Sequence, residues 1–172
     1  TRPGHRAAMT WFDYAVIAVL AVSVLIGLWR GFVREVFALV GWAAALVAAL
    51  LFAGEAGAFL PAAWGTPFAR SVGAGVVIFL VVLIACGFAG MLLARVVRAA
   101  GLGLADRTFG GVFGFARGAL ICVLGVLAAG LTALPKEAFW REATLSGPLE
   151  TTVVALKPYL PAPLAARVRY DR

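Results

Sequence analysis

Residues 71–94 read SVGAGVVIFLVVLIACGFAGMLLA, twenty-four positions between Arg70 and Arg95 without one charged side chain. At 1.5 Å of rise per residue, such a run makes a helix of about 36 Å, more than the roughly 30 Å of hydrocarbon in a bilayer. Three further runs flank it. Tyr14 to Trp29 gives 16 uncharged residues, Val36 to Gly54 gives 19, and Gly118 to Pro135 gives 18. The eight prolines lie outside these runs, or at the very edge for Pro135. Each run is therefore able to bond its own backbone as a helix, as lipid requires. The polar-apolar alternation of a β-barrel is absent. The expected fold is all-α, a polytopic membrane protein with about four transmembrane helices and a short amphipathic C-terminal tail.

Composition supports this from the other side. Of 172 residues, 63% are hydrophobic and only 13% are charged, about half the usual charged share near 25%. No soluble domain of this size hides so much apolar surface in one core. Disordered chains are poor in apolar residues and rich in charge, so disorder is excluded too. The net charge of +7 comes from 13 arginines and 2 lysines against 8 acids. The arginines fall between apolar runs, where loop charge and anionic headgroups explain them, so lipid is the expected partner and nucleic acid is not.

Flanking residues adjust the spans. Trp11, Phe12 and Tyr14 suit the headgroup level and extend the first span over Trp11 to Trp29, uncleaved. The fourth run, Gly118 to Leu134, is short, so its helix is expected to begin earlier, with Asp106 as N-cap and Thr108 to Arg117 as first turns. The layout is a leader over 1–10, a four-helix membrane domain over 11–135 and a tail over 136–172. In the tail, a short amphipathic helix near Glu137 to Thr144 places Phe139 and Trp140 at the interface, and Pro158, Pro161 and Pro163 break anything longer. Arginine and lysine counts favour cytoplasmic loops at 30–35 and 95–117, which hold six, against three to five on the other side with both termini periplasmic.

Catalytic constellations are missing. His5 is the one histidine, and Cys86 and Cys122 lie inside apolar runs without metal-ligand spacing. Gly101-x-Gly103 has Asp106 where a dinucleotide fingerprint needs its third glycine. The expectation is no enzyme, no metal, no cofactor and no identifiable small-molecule substrate. Glycine spacing is the feature that stands out. Gly110, Gly114 and Gly118 share one helix face, as do Ser23, Gly27 and Gly31, and Gly41, Ala45, Ala49 and Ala53. Small residues every fourth position let membrane helices approach closely. The 110–118 face reads as a packing seam, within one chain or between chains. Arg117 lies beside it and is expected to reach a headgroup or an acid such as Glu35. Asp13 reads as a helix cap or interface residue.

The first span runs into Arg30-Gly31-Phe32-Val33-Arg34-Glu35, and the third connection reads Asp106-Arg107-x-x-Gly110-x-x-Phe113-Gly114-x-x-Arg117-Gly118. With Asp13, this pairing resembles the colicin V production protein (CvpA) family over roughly residues 9–135. The resemblance implies a bacterial inner-membrane accessory protein, linked to production or export of the peptide toxin colicin V or to envelope homeostasis. It implies no catalytic residues. The leading expectation is a non-enzymatic protein acting by self-association or with other envelope or export proteins. The alternative is a small oligomeric channel or transporter, with a polar path near Asp13, Arg34, Glu35 and Arg117.

Overall fold

The computed structural model describes residues 9–132, 134–159 and 161. Arg2, His5 and Arg6 of the expected leader, and Pro163, Arg167, Arg169 and Arg172 of the tail, lie outside the described residues. Among the described residues there is no strand. Four long helices are each apolar enough to cross a membrane: α1 (Trp11–Arg30), α2 (Phe32–Ala58), α3 (Pro67–Ala99) and α4 (Gly103–Ala129). Two short ones follow, α5 (Ala138–Arg141) and α6 (Ser146–Leu156). The chain divides into two compact units, residues 27–111 and residues 1–26 with 112–172.

In the unit 27–111, α2 and α3 form an antiparallel hairpin whose contact is built from glycine on one helix meeting a larger residue on the other. A Cβ placed on Gly90 would lie 2.6 Å from Phe37 Cβ, and one on Gly41 would lie 2.8 Å from Cys86 Cβ. Near the other end the same holds for Gly75 on Ala53 and for Gly57 on the Ser71 backbone. Ala45 on α2 and Ala94 on α3 are wholly buried. Trp42 and Phe79 add an edge-to-face pair at 5.2 Å. The connection from α2 to α3 is closed by Arg70, whose Nη1 donates to the Leu60 carbonyl at 2.8 Å. Thr66 then caps α3 by accepting the Ala69 amide, with Pro67 at the first helical position, where its missing N–H costs nothing.

The connection counted from sequence as 95–117 narrows to residues 100–102: α3 runs on to Ala99, and α4, expected to start at Asp106, starts at Gly103. The reason is local. Gly101 takes φ +81°, its amide bonds to Arg98, and the Leu102 amide bonds back to Val97. That left-handed glycine with its paired bonds terminates α3 at once, and α4 starts two residues later.

In the other unit, the first part of α1 and the later part of α4 lie antiparallel, with Gly114 and Gly118 against Leu20, Ser23 and Val24. Phe12, Val16, Cys122, Val126, Ala129, Trp140, Ala143 and Val153 form its apolar core. The segment after Pro135 thus contributes to the core. Trp140, expected at the interface, is 3% exposed; its ring packs at a tilt on Phe12, centroids 4.4 Å apart, and its indole N–H donates to Glu150 Oε1 at 2.6 Å. The expected helix near Glu137 to Thr144 is the single turn α5, and the longer α6 lies beyond it. Proline did not forbid α6: Pro148 sits in its first turn, and Pro158 comes after its end. Outward, the long helices are apolar, with Leu50, Ile84 and Val96 each more than half exposed, the pattern suited to lipid.

Candidate functional site

Gly31 is the only residue between α1 and α2. It must end one helix and begin the next, and φ +85° with ψ 160° achieves both. Its amide still bonds to Gly27 at 2.8 Å, while its own carbonyl accepts the Glu35 amide. Having no side chain, Gly31 cannot cap α2. Asp106 does so from α4: its Oδ1 accepts the Val33 amide at 2.9 Å. The other oxygen, Oδ2, is buried against Gly31 with no hydrogen-bond partner among the described residues, and a Cβ on Gly31 would overlap it.

Asp106 is therefore not the N-cap of α4. Its amide already bonds to the Leu102 carbonyl, which places it inside the first turn, and its carboxylate serves a different helix. One turn further, Gly110 touches the backbone of Gly27 and Gly31, and Gly111 touches Leu28. Glu35, 3% exposed, holds Arg30 at 3.3 Å. Arg107 is exposed and Arg34 half-buried. Phe32 and Phe109 close the junction with ring centroids 6.2 Å apart.

A second polar cluster lies in the unit of residues 1–26 and 112–172. The Ser23 hydroxyl donates to the Gly114 carbonyl at 2.6 Å and accepts from Arg117 Nε at 3.1 Å. Arg117 Nη2 also donates to the Ser23 carbonyl at 3.2 Å. Gly114 and Gly118 permit this, since a Cβ on either would press on Ser23. The face at 110, 114 and 118 thus packs against α1 of the same chain. Ser23 entered the sequence reading only as a small residue. Its hydroxyl was the available signal, because an arginine within a span needs acceptors.

A third cluster surrounds Asp13, which is fully buried. Its carboxylate accepts the Thr10 amide at 2.9 Å, a capping-box bond three residues back. It also accepts the amides of Thr144 at 3.1 Å and Leu145 at 2.7 Å. A first-turn acid of α1 thereby fixes the chain between α5 and α6. Asp13 and Ser23, the anchor of Arg117, are ten residues apart on α1, about 15 Å along its axis, so Asp13 and Arg117 do not meet. No group of three His, Cys, Asp or Glu among the described residues could hold a metal. Both cysteines are free thiols.

The sequence matches the family model described as colicin V production protein over residues 12–154, which takes in α5 and most of α6. A colicin V production protein homolog of Haemophilus influenzae is 33% identical over 134 residues, covering 77% of this chain and 82% of its own length. The colicin V production protein of Escherichia coli K12 is 36% identical over 143 residues, covering 80% and 85%. No solved structure matches. Four apolar helices and these relatives make this a multi-pass membrane protein, and the chain belongs to the colicin V production protein family.

Proposed function

We propose that this protein is a non-enzymatic accessory protein of the bacterial inner membrane, acting by assembly with itself or with other envelope or export proteins. The observation that carries this reading is the use made of Asp13. A buried acid within a span is by default a functional group, yet this carboxylate is occupied by three backbone amides that it holds in place. Asp106 likewise caps α2. Carboxylates engaged as helix caps build a scaffold. The orientation that fits the arginine counts has the α1–α2 and α3–α4 connections in the cytoplasm and both termini in the periplasm.

The name of the Escherichia coli relative directs the test. This chain is expressed in a strain that makes colicin V and lacks its own colicin V production protein, and secreted toxin is measured. Restored secretion, together with no ion or solute flux in proteoliposomes, is the expected result. Membrane insertion without restored secretion overturns the toxin-production role. A flux that persists in the purified chain overturns the accessory reading in favour of a channel.

A further inference from the structure

We propose that one end of the unit 27–111 is a binding surface for anionic phospholipid, made by arginines at the start of α2, the end of α3 and the start of α4. Arg34, Arg95, Arg98 and Arg107 gather there because α2 and α3 are antiparallel and because residues 100–102 bring α4 back at once. Arg95, Arg98 and Arg107 are exposed and Arg34 is half-buried. None of the four has an ion-pair partner among the described residues, whereas Arg30 is paired with Glu35.

The two acids at this end are withdrawn from the surface. Glu35 is buried with Arg30 beside it, and Asp106 is buried with its Oδ1 on the Val33 amide. What faces outward is therefore cationic. The far end of the hairpin differs, since Arg70 is bonded to the Leu60 carbonyl and Glu55 is exposed.

The neighbours of these arginines decide which anion fits. Val96 is 63% exposed, Leu104 81% and Phe109 61%. Leu104 precedes Arg107 by three residues, and so shares its helix face. Arg98 packs its stem on Gly103, where a Cβ would lie 3.3 Å from its Cγ. Guanidinium groups take phosphate oxygens in pairs, and the apolar side chains beside them suit acyl chains. A ligand with a phosphate monoanion joined to hydrocarbon satisfies both, and a phosphatidylglycerol-type lipid is the simplest one. A soluble acidic protein or a nucleic acid would leave Leu104, and the exposed part of Phe109, without apolar cover. This inference does not depend on the accessory role.

The full chain is reconstituted in phosphatidylcholine vesicles with trace spin-labelled phosphatidylglycerol or spin-labelled phosphatidylcholine, and the protein-restricted fraction of each label is read. Wild type is expected to favour phosphatidylglycerol by about fivefold at low ionic strength, a preference that salt weakens. Arg95→Gln with Arg98→Gln is expected to bring the ratio close to one, and the corresponding lysine pair to keep part of it. Arg107→Gln alone gives a smaller loss and serves if the pair does not fold, while Arg70→Gln leaves the ratio unchanged. Equal restriction of both labels by wild type overturns the proposal, as does a preference that survives both glutamine variants. Arginine-dependent capture of a soluble acidic peptide without lipid preference overturns it in favour of a protein partner.

Discussion

Asp106 on α4 accepts the amide of Val33 on α2 at 2.9 Å, so the second helix is capped by a side chain that lies 73 residues away. An N-cap acceptor is worth about 1 kcal/mol, and a buried amide left without one costs more. Asp106→Ala should therefore lower stability by about 1–2 kcal/mol, and Asp106→Asn, which keeps an acceptor, by less. Denaturant titration in detergent micelles measures the loss, and amide exchange at Val33 locates it. Unchanged exchange at Val33 in the alanine variant would show that the cap is not used.

Gly31→Ala meets two obstacles at once. A residue with a Cβ held at φ +85° and ψ 160°, a region essentially reserved for glycine, costs on the order of 1–3 kcal/mol, and the new methyl overlaps the Asp106 carboxylate. Combining Gly31→Ala with Asp106→Ala removes the overlap and leaves the φ strain. The double variant is expected to be more stable than the sum of the two single losses implies, and a double-mutant cycle reads that coupling directly. Strict additivity would place the Asp106 side chain elsewhere.

The membrane class and the four spans were legible because lipid imposes a length and an apolar composition that residues such as 71–94 satisfy without any tertiary knowledge. The seam at Gly110, Gly114 and Gly118 was legible as a face, since spacing alone puts three glycines on one side of a helix. Its partner was not, because spacing carries no information on which helix approaches. Asp106 shows the same limit more sharply: an acid near a helix start looks like that helix's own cap, and only the one-residue link at Gly31 sends it to α2. The burial of Trp140 was not legible, because it resembles an interface anchor until Glu150 supplies a buried acceptor for its indole. Arg117 pointed to a headgroup or an acid, whereas Ser23 offers it a hydroxyl and a carbonyl.

Because the seam lies within the chain, a crosslink across it should be intramolecular. A Cβ at position 118 would lie 3.0 Å from Ser23 Cβ, close to the 3.5–4.5 Å that a disulfide adopts. Ser23→Cys with Gly118→Cys, in a background where Cys86 and Cys122 are replaced by alanine, is expected to form a bond under mild oxidant at monomer mobility on a gel. A dimer band at the expense of the internal bond would move the seam to a contact between chains.

Asp13→Ala removes the acceptor of the Thr10, Thr144 and Leu145 amides. Loss of a buried charged acceptor that serves several donors is expected to cost about 2–3 kcal/mol, felt first by the segment it holds. Amide exchange at Thr144 and Leu145 should rise, and protease should cut between α5 and α6 before it cuts the long helices. Glu150→Gln keeps an acceptor for the Trp140 indole and should leave Leu145 exchange close to wild type. Equal protection of Leu145 in wild type and Asp13→Ala would show that α6 is held by its apolar contacts alone.

The glycines of the hairpin predict opposite signs for one substitution. At Gly57 a Cβ would come within 2.7 Å of Ser71 Cα and 2.8 Å of its amide nitrogen, and backbone cannot step aside as a side-chain tip can. Gly57→Ala should force α2 and α3 apart and lose about 1–3 kcal/mol. At Gly73, two residues along α3 from Ser71, nothing lies within 4 Å of such a Cβ. Gly73→Ala therefore meets no neighbour and removes the conformational freedom that glycine brings to the unfolded chain, a gain of about 0.5–1 kcal/mol. Thermal unfolding of the two variants in the same detergent should move the midpoint down for Gly57→Ala and up for Gly73→Ala. A loss at both positions would mean that the face carrying Gly73 is covered by another protein surface in the micelle, and a loss at neither would separate the two helices at Gly57.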